Sequence, residues 1–385
     1  MTASPERDAA SPALDGGRRA AWLREQEQAL PGGSIAMSCS APLGSGGLGR
    51  HLLELRDAAR RAGSEVSWIS GDTRAGSGPR HALGVPYLAT VLRSMPALPS
   101  SPGVRARAAM IEFDDYAAAR LAPDAEHLVA FNGQALAQIG AARRAGLQSA
   151  AVVSANPHMR RLQRQHALAR KSYPLEGSWG TRLLDRNLAE YERADRIYYA
   201  SEYVRESFLA EGVAEQKLVR FPLTPDPRYA PGAAERDSGR FEIVYVGSLS
   251  VHKGVPLLID AVRRLAGLDL GLRLVGGWGT PGMRRFVQRA LAADARISVC
   301  PGDPLPHLRA ASLCVHPAYE DGFGYAPAEA LAVGVPVIVS EDTGMKELIA
   351  RGRDGLIVPT GDVDALAEAI EQAYRGAALA ARGDG

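Results

Sequence analysis

Cysteine is scarce in this chain. Among its 385 residues there are three, Cys39, Cys300 and Cys314. No two of them form a C-x-x-C pair, which argues against a zinc ribbon and against a disulfide framework. Long apolar runs are also missing, and none approaches the roughly 20 residues of a membrane-spanning helix. Nor is there an excess of one charge: 45 Lys and Arg stand against 43 Asp and Glu, far from the basic imbalance of a nucleic-acid binder. The opening residues MTASPERDAASPALDGG carry mixed charge and no apolar core, so no secretory signal is expected. The expectation is a reduced, cytoplasmic protein without a nucleic-acid partner.

What is present is enough apolar material, 46% of residues, and a length that calls for two domains. Residues 1–33 read as a flexible N-terminal extension with one helix, Arg18–Leu30, closed by Pro31-Gly32-Gly33. From Ser34 short apolar runs alternate with helical patterns up to about 225, interrupted by an irregular stretch at Arg93–Arg107. Such alternation predicts a parallel sheet covered on both faces. Residues 226–240 hold Pro and charge and read as a linker. A second strand–helix series fills 241–375, and 376–385 reads as a flexible tail. The expected architecture is α/β: two Rossmann-like doubly wound domains facing a central cleft, with ligands at the carboxyl ends of the strands.

Four stretches carry candidate chemistry. GSGGLG at 44–49 matches a dinucleotide fingerprint in letters, with Asp72 as the ribose acid, but Ala41-Pro42-Leu43 intervenes after the strand, which disfavours that reading. Small residues such as Gly46 and Gly47 at a helix start still let a phosphate or sugar approach backbone N–H groups. GSLSVHKG at 247–254 follows a strong strand and offers Lys253 as a point charge for a diphosphate. In EDGFGYAPAEALAVG, from Glu320 to Gly334, glycines beside Asp321 expose N–H donors ahead of a helix, Ala326–Val333, that carries Glu329. ANPHMRRLQRQHALARK places His158 at a strand end, then a basic run from Arg160 and Arg161 to Lys171. That run reads as a solvated helix face; a phosphate-bearing acceptor or an anionic membrane surface is the sharper alternative.

Two spellings read as decoys. Asp362-Val363-Asp364 opens a helix, where aspartates cap, and Phe113-Asp114-Asp115 has no evident convergent partners. No metal is expected.

Together, Val246-Gly247-Ser248-Leu249 through Lys253-Gly254, Val275-Gly276-Gly277, HPAYEDGFGYAPAEALAVGVPVIVSEDTGMKELI and DGLIVPTGD resemble the retaining glycosyltransferases of family 4, which have the GT-B fold. Gly46-Gly47-Leu48-Gly49, Pro157-His158 and Arg186–Val213 agree in the first half. The family signature is two acids with seven residues between them, which selects Asp321 with Glu329 and leaves Glu320 as flank. The resemblance implies that Asp321 and the backbone of Phe323 and Gly324 hold donor-sugar hydroxyls. By the same route Glu329 takes the ribose, Lys253 the diphosphate with Gly47 approaching it, and His158 lies near the transferred sugar. Base recognition falls to backbone around Cys300–Pro304.

The implied activity is hexosyl transfer from a nucleoside-diphosphate sugar, UDP ahead of GDP, to a hydroxyl-bearing acceptor. Configuration is retained by front-side attack, with no resident cofactor. Alternatives are a non-transferring sugar-nucleotide binder and a nucleotide-sugar epimerase. Two departures stand out: Ser248 occupies a position that is often arginine in the family, and relatives continue with further helices after 362–374.

Overall fold

The computed structural model describes residues 16–71, 102–177, 182–232, 239–349 and 354–382. Asp72 and most of the irregular stretch at 93–107 lie outside them, as do parts of the expected extension, linker and tail. The chain forms two compact units. The N-terminal unit comprises Ala20–Arg161 and Gly177–Leu223, and the C-terminal unit takes in Leu162–Glu176 and Thr224–Gly385.

Successive elements of the first half are α1 (Gly16–Ala29), β1 (Ser34–Cys39), α2 (Gly46–Arg61), β2 (Glu65–Ser70), α3 (Pro102–Ala118), β3 (His127–Phe131) and α4 (Leu136–Ala145). They continue as β4 (Ser149–Ser154), α5 (Met159–Ser172), α6 (Arg182–Arg193), β5 (Arg196–Tyr199), α7 (Glu202–Leu209) and β6 (Leu218–Arg220). All six strands are parallel, in the order β2-β1-β3-β4-β5-β6. β3 is buried along its whole length, as a parallel strand covered on both faces must be. The helix expected at Arg18–Leu30 is α1, and it is no loose extension: Trp22 and Gln26 are buried, and Gln26 donates to Glu54 (3.0 Å) and to the Pro222 carbonyl (2.7 Å).

Asp114, read from sequence as lacking partners, has several. Its buried carboxylate accepts the N–H groups of Ala137 (2.7 Å) and Gln138 (3.0 Å) and pairs with Arg186. Glu190 accepts the N–H groups of Gly133 and Ala135 at the same helix start. Two carboxylates therefore satisfy the orphan donors at the N-terminus of α4 and face its positive dipole end. The partners come from residues distant in sequence, so spelling alone could not show them.

The C-terminal unit contains β7 (Phe241–Val246), α8 (Val255–Arg264), β8 (Leu270–Val275), α9 (Pro281–Ala293), β9 (Ile297–Cys300), α10 (Pro304–Ala310) and β10 (Leu313–His316). It ends with α11 (Tyr325–Ala332), β11 (Val337–Ser340), β12 (Gly355–Val358) and α12 (Val363–Arg382). Its sheet is again parallel, ordered β12-β11-β10-β7-β8-β9. Ile243, Tyr245, Leu258, Leu272, Leu274 and Ile370 are fully buried in its core. Asp362 accepts the N–H groups of Asp364 (3.0 Å) and Ala365 (2.9 Å); the D-x-D spelling is a helix cap. α12 continues through Arg382, beyond the point where a tail was expected.

Strand order reverses once in each sheet, between β1 and β3 and between β7 and β10. Chains leaving two such neighbours turn to opposite faces and open a crevice beyond their carboxyl ends. In the C-terminal unit the flanking loops are 247–254 and 317–324.

His51 on α2 is buried, packed edge-on against Phe131 (5.2 Å between centroids) and stacked on Phe221 (5.9 Å). Neither ring nitrogen has a hydrogen-bond partner among the described residues. Burial pulls its pKa from 6.5 down to about 3, so below pH 6.5 the unfolded chain binds a proton that the folded unit refuses. This contribution to stability is full above pH 6.5 and is lost as pH falls toward 3. His51→Leu removes it. In a fluorescence-monitored acid titration, the variant is expected to unfold at lower pH than the parent, with neutral-pH stability within about 1.5 kcal/mol. An unchanged acid midpoint would refute this account.

Candidate functional site

Loop 247–254 is fixed largely by backbone. Gly247 N–H donates to Val275 O (2.9 Å), Leu249 N–H to Gly277 O (2.8 Å), and Gly279 N–H returns to Leu249 O (3.1 Å). A Cβ at Gly276 would lie 1.8 Å from Gly247 O, so only glycine fits this crossing. Ser248 is exposed, and its carbonyl accepts the Tyr245 hydroxyl (2.8 Å). Gly254 then turns at φ 74° to start α8, where a Cβ would lie 1.9 Å from Pro317 O. That close approach sets Lys253 beside the second loop.

Lys253 Nζ donates to Asp321 Oδ2 (3.1 Å) and to the Glu320 carbonyl (3.2 Å). His316 Nε2, at the end of β10, lies 2.9 Å from the same Asp321 Oδ2. Oδ1 has no bonded partner among the described residues. The Asp321 backbone is pinned between Asp342 O (3.1 Å from its N–H) and the Gly344 N–H (2.9 Å from its carbonyl). Burial works to raise the Asp321 carboxyl, but Lys253 and then His316 outweigh it and hold it well below the usual carboxylate range. For Lys253, burial pulls downward and Asp321 and Glu320 more than reverse it, so its pKa is raised. Both groups stay charged across the neutral range.

Gly324 (φ 92°) heads α11, on which Glu329 is buried at 3% exposure. The nearness of Glu329 adds to burial in pushing the Tyr229 hydroxyl and the Cys314 thiol each up to about 12. Phe323 is buried, edge-on to Tyr325. Of the residues that the resemblance marks in this unit, Lys253, Asp321, Phe323, Gly324 and Glu329, the fold brings Lys253 and Asp321 into direct contact.

Glu320 is not a surface flank. It is 3% exposed, its side chain turned to His166 Nε2 (3.4 Å), because neighbours 320 and 321 point to different sides of the loop. His316 went unread; a histidine ending an apolar strand resembles core, and its tie to Asp321 is the signal a D–H pair five residues apart could have given.

The remaining sequence candidates lie in the N-terminal unit. Gly46 (φ 59°) and Gly47 are exposed at the start of α2, after β1 at the other point of strand reversal. The sterically fixed glycine there is Gly49, whose Cβ would lie 1.9 Å from Pro42 O. His158 follows β4. It is buried between Tyr191 and Phe208 (5.1 Å each), and its Nδ1 accepts the Arg160 N–H (3.3 Å). Arg160 is half exposed and pairs with Glu211 (3.3 Å), and Arg161 lies over the Tyr203 ring (4.9 Å).

Two doubly wound units, each with its strand reversal, define a GT-B fold. Sucrose-phosphate synthase from Thermosynechococcus elongatus shares it with a TM-score of 0.67 at 19% identity, over 89% of this chain and 90% of that one. Residues 240–375, within the C-terminal unit, match the family model of glycosyl transferases group 1. The D-inositol 3-phosphate glycosyltransferase of Pseudarthrobacter chlorophenolicus is 31% identical over 150 residues, 36% of this chain and 35% of that protein. Glycogen synthase of Mycobacterium tuberculosis is 31% identical over 180 residues, 44% of this chain and 42% of its own length. The chain thus matches well under half the length of these curated relatives.

The charge triad yields a prediction. A double-mutant cycle of Lys253→Met and Asp321→Asn, read by denaturant unfolding, is expected to give a coupling of about 0.5–3 kcal/mol. The Asp321 contribution is lost as pH falls from 3.8 toward its lower folded value, and the Lys253 contribution as pH rises above 10.5. The coupling should therefore be flat between about pH 5 and 9; a value near zero would show the contact to be incidental.

Proposed function

We propose that this protein is a retaining hexosyltransferase of the family 4 type, moving a sugar from a nucleoside diphosphate to an acceptor hydroxyl. The observation that carries this reading is the Lys253–Asp321–His316 cluster beside the Gly322–Gly324 turn, at the strand-order reversal of a glycosyl transferases group 1 domain. Asp321 keeps Lys253 charged and aimed, and a leaving diphosphate is the ligand that such a cation stabilises. Oδ1 of Asp321 and the N–H groups of Phe323 and Gly324 suit sugar hydroxyls, and Glu329 suits the ribose.

In the reaction, the bond from the anomeric carbon to the phosphate oxygen breaks. The acceptor oxygen bonds to the same face, and the acceptor proton passes to the departing phosphate. No metal is required, because Lys253 and backbone donors meet the developing charge. Within the N-terminal unit, Gly46, Gly47 and His158 are assigned to sugar and phosphate contacts, and Arg160 and Arg161 to the acceptor. UDP is favoured over GDP as carrier, and the setting is cytoplasmic.

Ser248 supports a second reading, a binder that no longer transfers. A hydroxyl there supplies a neutral hydrogen bond where the family often has a guanidinium.

A thermal-shift screen against UDP-, GDP-, ADP- and TDP-sugars tests both readings. A donor at 100 times its Kd stabilises by about 2.7 kcal/mol. Transferase activity predicts such a shift, nucleotide release with acceptor, and a loss of about 10²–10³-fold in kcat for Lys253→Ala. Glu329→Ala is expected to weaken donor binding. A shift without turnover selects the binder; no shift with any donor refutes both.

A further inference from the structure

Behind the donor loops lies a second cluster that the proposed transfer does not use. It is built from His166 on α5, His252 in the turn before α8, and Glu320. The α5 segment belongs to the C-terminal unit from Leu162 onward, so all three residues share one body. His166 is 7% and Glu320 3% exposed. One ring nitrogen from each histidine and one Glu320 oxygen lie within 4.8 Å of one another. His166 Nε2 stands 3.4 Å from Glu320 Oε1, and the two imidazoles stack at 4.6 Å with 25° between planes.

Two observations point to a ligand. Glu320 Oε2 is buried with no hydrogen-bond partner among the described residues, and an acceptor so placed is costly unless something positive meets it. The second is the convergence itself: two imidazole nitrogens and a Glu320 oxygen approach one another. Against the upward pull of burial, the Lys253 charge helps hold the Glu320 carboxyl low, while Lys253 donates its hydrogen bonds to the Glu320 carbonyl and to Asp321.

We propose that His166, His252 and Glu320 form a binding site for a divalent transition metal, with zinc the best-fitting ion. Two imidazole nitrogens and one carboxylate oxygen are a zinc donor set, and solvent would complete four-coordination. Bonds of about 2.0–2.2 Å require the three atoms to draw inward by side-chain rotation, opening the stacked rings. The ion would fasten α5 to both donor loops, one residue away from Lys253 and from Asp321. It would stiffen the donor site and take no part in bond making. This contrasts with the sequence expectation of no metal, which weighed the cysteine spacing, Asp362-Val363-Asp364 and Phe113-Asp114-Asp115 but not the histidines.

The test needs no sugar nucleotide, so its outcome is independent of the transferase reading. Chelator-stripped protein is titrated with Zn²⁺ by calorimetry and with Co²⁺ by visible absorption. One equivalent of each is expected, with Co²⁺ ligand-field bands and a Zn²⁺-dependent rise in Tm. His166→Asn and Glu320→Gln are each expected to weaken Zn²⁺ binding by about 100-fold or more, while His307→Asn, outside the cluster, leaves it unchanged. Metal-free Tm and circular dichroism show which variants fold; should His166→Asn not fold, His252→Asn takes its place. Absence of saturable one-to-one binding in the parent protein overturns the proposal. So does binding that survives substitution of the ligands in folded variants.

Discussion

A single carboxylate oxygen organises the C-terminal site. Asp321 Oδ2 receives both Lys253 and His316, and each is delivered by a different element. Lys253 comes from the turn closed by Gly254 against Pro317 O, and His316 from the last position of β10. The three cannot meet unless β7 and β10 are neighbours, which is the point where strand order reverses. The ion pair is about one-fifth exposed, so solvent screens part of its attraction and its worth to stability is modest. Its larger consequence is positional: it holds a cation and an anion at the mouth of a crevice, each kept ionised by the other.

The N-terminal unit applies similar physics to a different end. There the buried carboxylates Asp114 and Glu190 are satisfied by backbone N–H groups at the start of α4 and by Arg186. Nothing about that arrangement leaves an acid available to a ligand. In the C-terminal unit both side-chain contacts of Asp321 fall on Oδ2, and Glu320 Oε2 is buried with no partner among the described residues. Carboxylates with complete hydrogen bonding serve structure, whereas those with a remaining acceptor are where ligand chemistry is to be sought.

The fold was legible in the sequence because parallel strands buried on both faces leave continuous apolar runs, as in residues 128–131 and 243–246. Short elements escaped: β12 is four residues opening on Gly355, and α10 seven residues rich in proline. Lys253, Asp321 and Glu329 were marked only through the resemblance of their motifs to family 4 glycosyltransferases, since a loop lysine or an acid in a first helical turn is ordinary taken alone. His316, His166 and the inward turn of Glu320 were not. His316 ends an apolar strand and so resembles core. His166 sits in a helix whose basic residues suggest a solvated face, and its contact with Glu320 joins residues far apart in the chain. Asp114 was misread for the same reason.

Ser248 shows how far architecture and charge can separate. The loop around it is held by main-chain bonds at Gly247, Leu249 and Gly279 and by the Tyr245 hydroxyl on its carbonyl. Tyr245 itself stacks on His316 with 5° between ring planes, so the loop, the strand-end histidine and Asp321 form one connected support. None of these contacts involves the Ser248 side chain, which faces solvent. A serine rather than an arginine at this position therefore leaves the shape of loop 247–254 intact and alters only the charge that it presents. The difference between the two proposed readings, transferase and binder, would then lie in electrostatics at one position, where Lys253, already shared with Asp321, would meet a leaving diphosphate with less help. Under the proposed transfer, the backbone donors at the Gly322–Gly324 turn do not depend on that side chain, so Ser248 would affect ground-state binding of a sugar less than stabilisation of charge that develops only as the bond breaks.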